Sequence, residues 1–259
     1  MASLTEMKKM AMIVAYDGTR YYGFQRQSTL PTIQERLEEA LFRLHQRKTG
    51  VTGAGRTDAR VHATGQVIHF MTDLRIPPER WPYALQAFLP EDIQIRAAYP
   101  VEDSFHARYS AVGKRYRYRI DRGKMRNLFT RNYALHYPYP LEIDKIKEAS
   151  SFLLGRHDFS AFAASGSSVK NHIRTLYDIQ VVEVGDELQF TFWGDGFLYN
   201  MVRILVGTLL EVGGGRRDVK EIVKLLRSGD RTKAGITVPP HGLTLEEVLY
   251  PEGTFRLKT

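Results

Sequence analysis

An α+β fold built from two ferredoxin-like halves is predicted by three features of the sequence. Short runs alternate apolar and polar residues at strand spacing, apolar residues recur at helical spacing between them, and the elements fall in the order β-α-β-β-α-β before a similar second series. In such a unit two helices cover one face of a four-stranded, largely antiparallel sheet. The halves are placed at 1–107 and 108–259, with a shared sheet and a catalytic cleft at their junction as expectations. The repeat is architectural, because no sequence-level repeat and no long linker is present.

In the first half, Met10 to Tyr16 is an apolar β-type run stopped by Asp17-Gly18. Thr32 and Glu35 form a capping box ahead of Ile33, Leu37, Ala40, Leu41 and Leu44, whose spacing predicts one buried helical face. A short strand is expected near Thr49 to Thr52. Gln66 to Asp73 alternates, with Val67, His69 and Met71 on one face and Ile68 and Phe70 on the other. Pro77 and Pro78 open a second helix carrying Trp81, Leu85, Phe88 and Leu89, with Pro82 tolerated only in its first turn. Ile93 to Tyr99 closes the half as a strand. The second half reads as a strand at Ala111 to Asp121, a helix from Asp144 to Leu154 ended by Gly155, and a hairpin of Ile173 to Val184 and Glu187 to Trp193 turning at Gly185-Asp186. A helix from about Tyr199 to Val212 follows. Asp218 is expected to cap another, with Val219, Ile222, Val223 and Leu226 inward, and Leu243 to Tyr250 supplies the last strand.

Composition bounds the function. With 259 residues and 43% hydrophobic content the chain can bury a large core, which argues against disorder. The net charge of +8 favours a polyanionic partner such as nucleic acid, although solvated lysine faces give the same excess. The absence of cysteine excludes disulfides, thiolate nucleophiles and zinc-thiolate sites. His62 and His69, the closest pair of the eight histidines, lack the i, i+4 spacing of a helical zinc site, so no metal is expected. The first ten residues lack the apolar core of a signal peptide, and no run approaches the ~18 apolar residues of a membrane span. A soluble cytoplasmic protein is the expectation.

The chemistry concentrates in Gly53 to Gly65 (GAGRTDARVHATG), a glycine-bounded loop leading into a strand. Gly53 and Gly55 permit close backbone approach, while Arg56 and Arg60 flank Asp58 and favour its ionised form. Such a carboxylate serves as a nucleophile or an electrostatic stabiliser, or else simply closes an Asx-turn onto nearby amides. Lys114 to Asp121 places Tyr116 and Tyr118 on one strand face and Arg115, Arg117 and Arg119 on the other, a pattern that suits either base stacking with phosphate contacts or core packing. The loop Tyr16 to Gln27 mixes Arg20 and Arg26 with Tyr21, Tyr22 and Phe24, and reads as an RNA-facing or a packed surface loop. Arg122 to Arg131 adds four more basic residues around Phe129. Arg203 stands within Phe197 to Val212, apolar nearly all round, so it must find a buried acceptor, for which Asp58 is one choice, or snorkel to solvent.

Several of these stretches, in order, resemble the bacterial tRNA pseudouridine synthases that act on uridines 38 to 40 of the anticodon arm. They are YDGTRYYGFQRQ at Tyr16 to Gln27, GRTDARVHATGQV at Gly55 to Val67, FHARYSAVGKRYRY at Phe105 to Tyr118, FLYNMVRILVG at Phe197 to Gly207 and PPHGLTLEEVLYPE at Pro239 to Glu252. The resemblance implies the pseudouridine synthase fold and assigns the nucleophile to Asp58, the base-stacking tyrosine to Tyr116, a base-flipping role to Arg56, and the arginine facing the aspartate to Arg203. Members usually read GRTDAGVH, so Arg60 stands where glycine is usual. The implied reaction detaches uracil from C1′, rotates it and rejoins it through C5, with no cofactor, in a homodimer acting on tRNA. Two other classes remain: an RNA-binding or RNA-folding module without turnover, and a carboxylate glycoside hydrolase, for which no second acidic motif presents itself.

Overall fold

The computed structural model describes residues 6–164, 166 and 169–255, so the first five residues of the segment read above for signal-peptide character lie outside the described residues. Contacts divide the chain into two compact units: one runs to Val112 and takes in the chain from Leu245 onward, and the other is Gly113–Thr244.

The first unit follows β1 (Lys8–Tyr16), α1 (Ile33–His45), β2 (Thr52–Gly53), β3 (His62–Thr72), α2 (Trp81–Gln86) and β4 (Ile93–Val101), the expected β-α-β-β-α-β order. β1 lies at the centre, antiparallel to β3 through Met10↔Phe70 and Met12↔Ile68 and to β4 through Met12↔Ala98. Thr32 caps α1 as read, its side chain accepting from the Glu35 N–H at 3.4 Å, and Ile33, Leu37, Ala40 and Leu41 are buried. α2 is shorter than the pattern suggested and leaves Phe88 exposed rather than inward. Pro90 accounts for this, since it disfavours helical geometry at Leu89. Trp81 is fully buried beneath the His45 ring, 6.0 Å between centroids.

The second unit carries β5 (Gly113–Asp121), β6 (Leu135–His136), α3 (Ile143–Ser151), β7 (Gly155–Asp158), β8 (Ile173–Val184), β9 (Glu187–Gly194), α4 (Met201–Gly213) and α5 (Glu221–Ser228). β5 pairs antiparallel with β9 through Tyr116↔Phe192 and Tyr118↔Phe190, and β9 with β8 across the expected Gly185 turn. The two-residue β6 pairs parallel with β5, an exception to the antiparallel pattern. β6 and β7 are too short to show a period and were not foreseen. Gly155, expected to end α3, instead begins β7 at φ +91°, the helix having stopped at Ser151. Asp218 does not cap α5: its carboxylate accepts from the Lys220 N–H at 2.8 Å, ahead of a helix that starts at Glu221 and buries Ile222 and Leu225 rather than Val223 and Leu226. The later start moves the buried face. The last strand, β10 (Leu243–Leu249), lies beside β3, where Gly65 is pressed so close to the Glu246 carbonyl that a Cβ would stand 2.2 Å from its oxygen. Among the described residues, no helix is long and apolar enough to cross a membrane.

Candidate active site

Asp58 lies half-buried between β2 and β3, in the turn that feeds β3. The Val61 N–H donates to the Asp58 carbonyl at 3.1 Å, with φ positive at Arg60 (+65°) but not at Ala59. That is the type II pattern, whose third residue favours glycine. An arginine there carries a left-handed conformation at a cost of about 1–2 kcal/mol. The surroundings hold this positive φ. The Arg60 N–H donates to the Tyr21 carbonyl at 3.0 Å, and two bonds from the same segment reach the catalytic-type loop: Phe24 N–H to Thr57 carbonyl at 3.1 Å and Gly18 N–H to His62 Nδ1 at 3.0 Å.

Side chains from β1 and β3 complete the support. The Tyr16 hydroxyl shares a 2.8 Å hydrogen bond with Thr57 Oγ1, and the buried Gln66 amide donates to the Gly55 carbonyl at 2.8 Å. Burial pushes the Tyr16 phenol up to about 12. Gly23, at φ +93°, lets this segment press on the loop: a Cβ there would stand 2.6 Å from the Thr57 carbonyl oxygen. Residues 16–24 are thus largely a brace under the Asp58 loop. Tyr21 and Phe24 are buried, Arg20 pairs with Asp92 at 2.8 Å and Arg26 with Glu38 at 2.8 Å, while Tyr22 stays exposed. Arg56 and Arg60, by contrast, are exposed, and their guanidinium groups have no partner among the described residues.

The second unit positions Tyr116 and Arg203 by regular structure. Tyr116, 8% exposed, projects from β5 to the buried face and meets the Phe197 ring edge-on at 5.1 Å. Two positions on, Tyr118 is fully buried, its hydroxyl donating to the Pro239 carbonyl at 2.7 Å, and burial raises its pKa against the opposing charge of Arg203. Arg203 projects from α4, whose surface is otherwise almost wholly buried. Its Nε donates to the Val238 carbonyl at 2.8 Å and Nη1 to Asn200 Oδ1 at 2.6 Å, so it is fastened within the unit rather than snorkelled. On the opposite face of β5, Arg119 is held by Glu187 at 2.9 and 2.5 Å, which keeps that carboxyl below its usual range, and Arg115 lies over the Trp193 ring at 5.8 Å. Arg122 pairs with Glu183 at 2.5 Å, and the following loop exposes Met125, Leu128 and Phe129.

Sequence reasoning singled out Asp58, Arg56, Tyr116 and Arg203 but not Gly23, Thr57 and Gln66, which support the Asp58 loop, or Asn200 and Val238, which hold Arg203. The doubled glycine of DGTRYYG was the available signal for the brace. The α+β scaffold agrees with the comparisons. The family model described as tRNA pseudouridine synthase matches residues 12–110 and 149–251, and the chain belongs to that family. Asp58, Arg56 and Arg203 fall inside the matched ranges and Tyr116 between them. A tRNA pseudouridine synthase A of Bacillus licheniformis is 49% identical over 93% of this chain and 99% of its own length. That of Thermoanaerobacter sp. strain X514 is 49% identical over 94% of this chain and 100% of its own. A chain in a crystal structure of a Cbf5-Nop10-Gar1 complex is a distant likeness, at 14% identity and TM-score 0.33, covering 78% of this chain and 54% of that one.

Proposed function

We propose that this chain is an isomerase that converts uridine to pseudouridine in tRNA. The family match over most of the chain, with Asp58 inside it on a turn fixed from both sides, supports this reading. In the reaction the C1′–N1 bond breaks and a C1′–C5 bond forms, while the C5 proton leaves and N1 gains one. Atoms and electrons balance without a cofactor. The finer assignments rest on the resemblance: the target is uridine 38, 39 or 40 in the anticodon arm, the working form a cytoplasmic homodimer. Asp58 is the nucleophile, attacking C6 or C1′; Tyr116 stacks on the base; Arg56 assists its flipping; Arg203 keeps the carboxylate charged. Flipping costs a few kcal/mol, which contacts to the rest of the RNA offset.

Incubation with unmodified tRNA, followed by nucleoside mass spectrometry, tests the reading. The expected product is a mass-neutral, C5-linked uridine isomer at one or more of the three positions. Binding without product would instead identify an RNA-binding module, and product elsewhere in the tRNA would move the target away from the anticodon arm.

A further inference from the structure

Arg60 combines three observations. It occupies the left-handed position of the Asp58 turn, it is exposed, and its guanidinium has no partner among the described residues. Two other cations of the same unit are neutralised internally, Arg20 by Asp92 and Arg26 by Glu38, whereas Arg56 of the same loop is exposed like Arg60. Arg60 follows Asp58 by two residues in the same turn, so the two side chains leave neighbouring positions of one short loop. An arginine held in a glycine-favouring conformation, with its charge left to solvent, serves nothing within the fold that glycine would not serve better.

Resting on the tRNA reading above, we propose that Arg60 is a substrate-binding residue that holds a backbone phosphate of the RNA beside the nucleotide presented to Asp58. The fixed φ sets the direction in which the Cα–Cβ bond leaves the loop. A guanidinium suits a phosphate in two parallel hydrogen bonds, and neutralising that phosphate releases a counterion. The residue thereby adds a contact that a glycine at this position cannot make.

The test uses the full chain carrying Asp58→Asn, to prevent turnover, and an unmodified tRNA transcript, with affinity measured from low to moderate KCl. Arg60→Asn removes the charge while tolerating positive φ, and Arg60→Lys keeps the charge. The Asn variant should bind more weakly at low salt and show a log-log salt slope shallower by about 0.7 to 0.9, while the Lys variant should retain the slope. An unchanged slope in the Asn variant, or a slope lost equally in the Lys variant, overturns the assignment in favour of a purely conformational role. Parallel product analysis on the unsubstituted protein keeps the two readings apart. Pseudouridine formed with a slope indifferent to Arg60 refutes this inference alone; a responsive slope without pseudouridine refutes the reaction alone.

Discussion

The two units hold their candidate residues by different means. In the first, Asp58 sits on a turn whose shape is enforced by main-chain hydrogen bonds from residues 18–24 and by glycine close contacts. In the second, Tyr116 and Arg203 project from a strand and a helix, and their directions follow from register and helical phase. The difference teaches where each is vulnerable. A loop built from backbone fails when a Cβ is added to its support, whereas a residue on a regular element fails when its own side chain or its packing partner is cut back.

The largest expected effect comes from the carboxylate itself. Asp58→Asn is nearly isosteric and should lower single-turnover pseudouridine formation by at least about a thousandfold while tRNA binding is largely retained. Substantial residual turnover would remove the nucleophile assignment. Next comes the support. Gly23→Ala places a Cβ 2.6 Å from the Thr57 oxygen at a φ of +93°, and should cost about 2 kcal/mol or more of stability together with much of the rate, although Gly23 carries no reactive group. A Gly23→Ala protein with normal melting and normal turnover would mean that the brace is dispensable. For the second unit, Tyr116→Phe keeps the ring against Phe197, and should lose less activity than Tyr116→Ala, which forfeits stacking worth ~1 to 3 kcal/mol. Equal losses would transfer the role to the hydroxyl.

The smallest effect separates the units by acid. In the first unit, His69 is pushed down from its ordinary 6.5 to about 4, chiefly by burial and then by His106 and Lys9, and His45 is lowered mainly by burial. Below 6.5 an unfolded chain takes up protons that these rings refuse, so stability should fall as pH drops from 6.5 towards 4. In the second unit the lowered carboxylates are Asp158, Glu187 and Asp230, whose contribution, like that of Asp73 in the first, is present above the unfolded carboxylate range and lost only at still lower pH. The Trp193→Phe protein retains Trp81 as its sole tryptophan, inside the first unit. Its emission should report a lower urea midpoint at pH 5 than at pH 7, and His69→Gln should flatten that dependence. Equal midpoints would show that acid does not single out this unit.

The same contrast explains what was legible in the sequence. Periodicity gave the buried face of α1 and put Tyr116 and Tyr118 on one strand face, though not whether that face is core or RNA-facing, because side-chain direction on a regular element repeats with spacing. The cap at Thr32 was local and readable. The cap assigned to Asp218 was wrong because its carboxylate closes onto the Lys220 amide before the helix begins. The Asp58 loop was recognisable by residue type, yet its brace was not, since Tyr21–Arg60 and Phe24–Thr57 are main-chain bonds between segments far apart in sequence. For that reason Tyr21 and Phe24 read as either RNA-facing or packed residues, and they prove to be buried. Likewise Arg119 counted as a basic residue until its pairing with Glu187 was visible.

The fastening of Arg203 bears on when its conformational freedom is lost. With Nε on the Val238 carbonyl and Nη1 on Asn200, the long side chain is already confined before any RNA arrives, and folding has absorbed up to about 2 kcal/mol of rotamer entropy. Arg56 and Arg60 have no such tether among the described residues, so folding leaves their rotamer freedom largely intact. The chain therefore carries two kinds of cation: one whose orientation is set on folding, and one whose ordering is left to a later event.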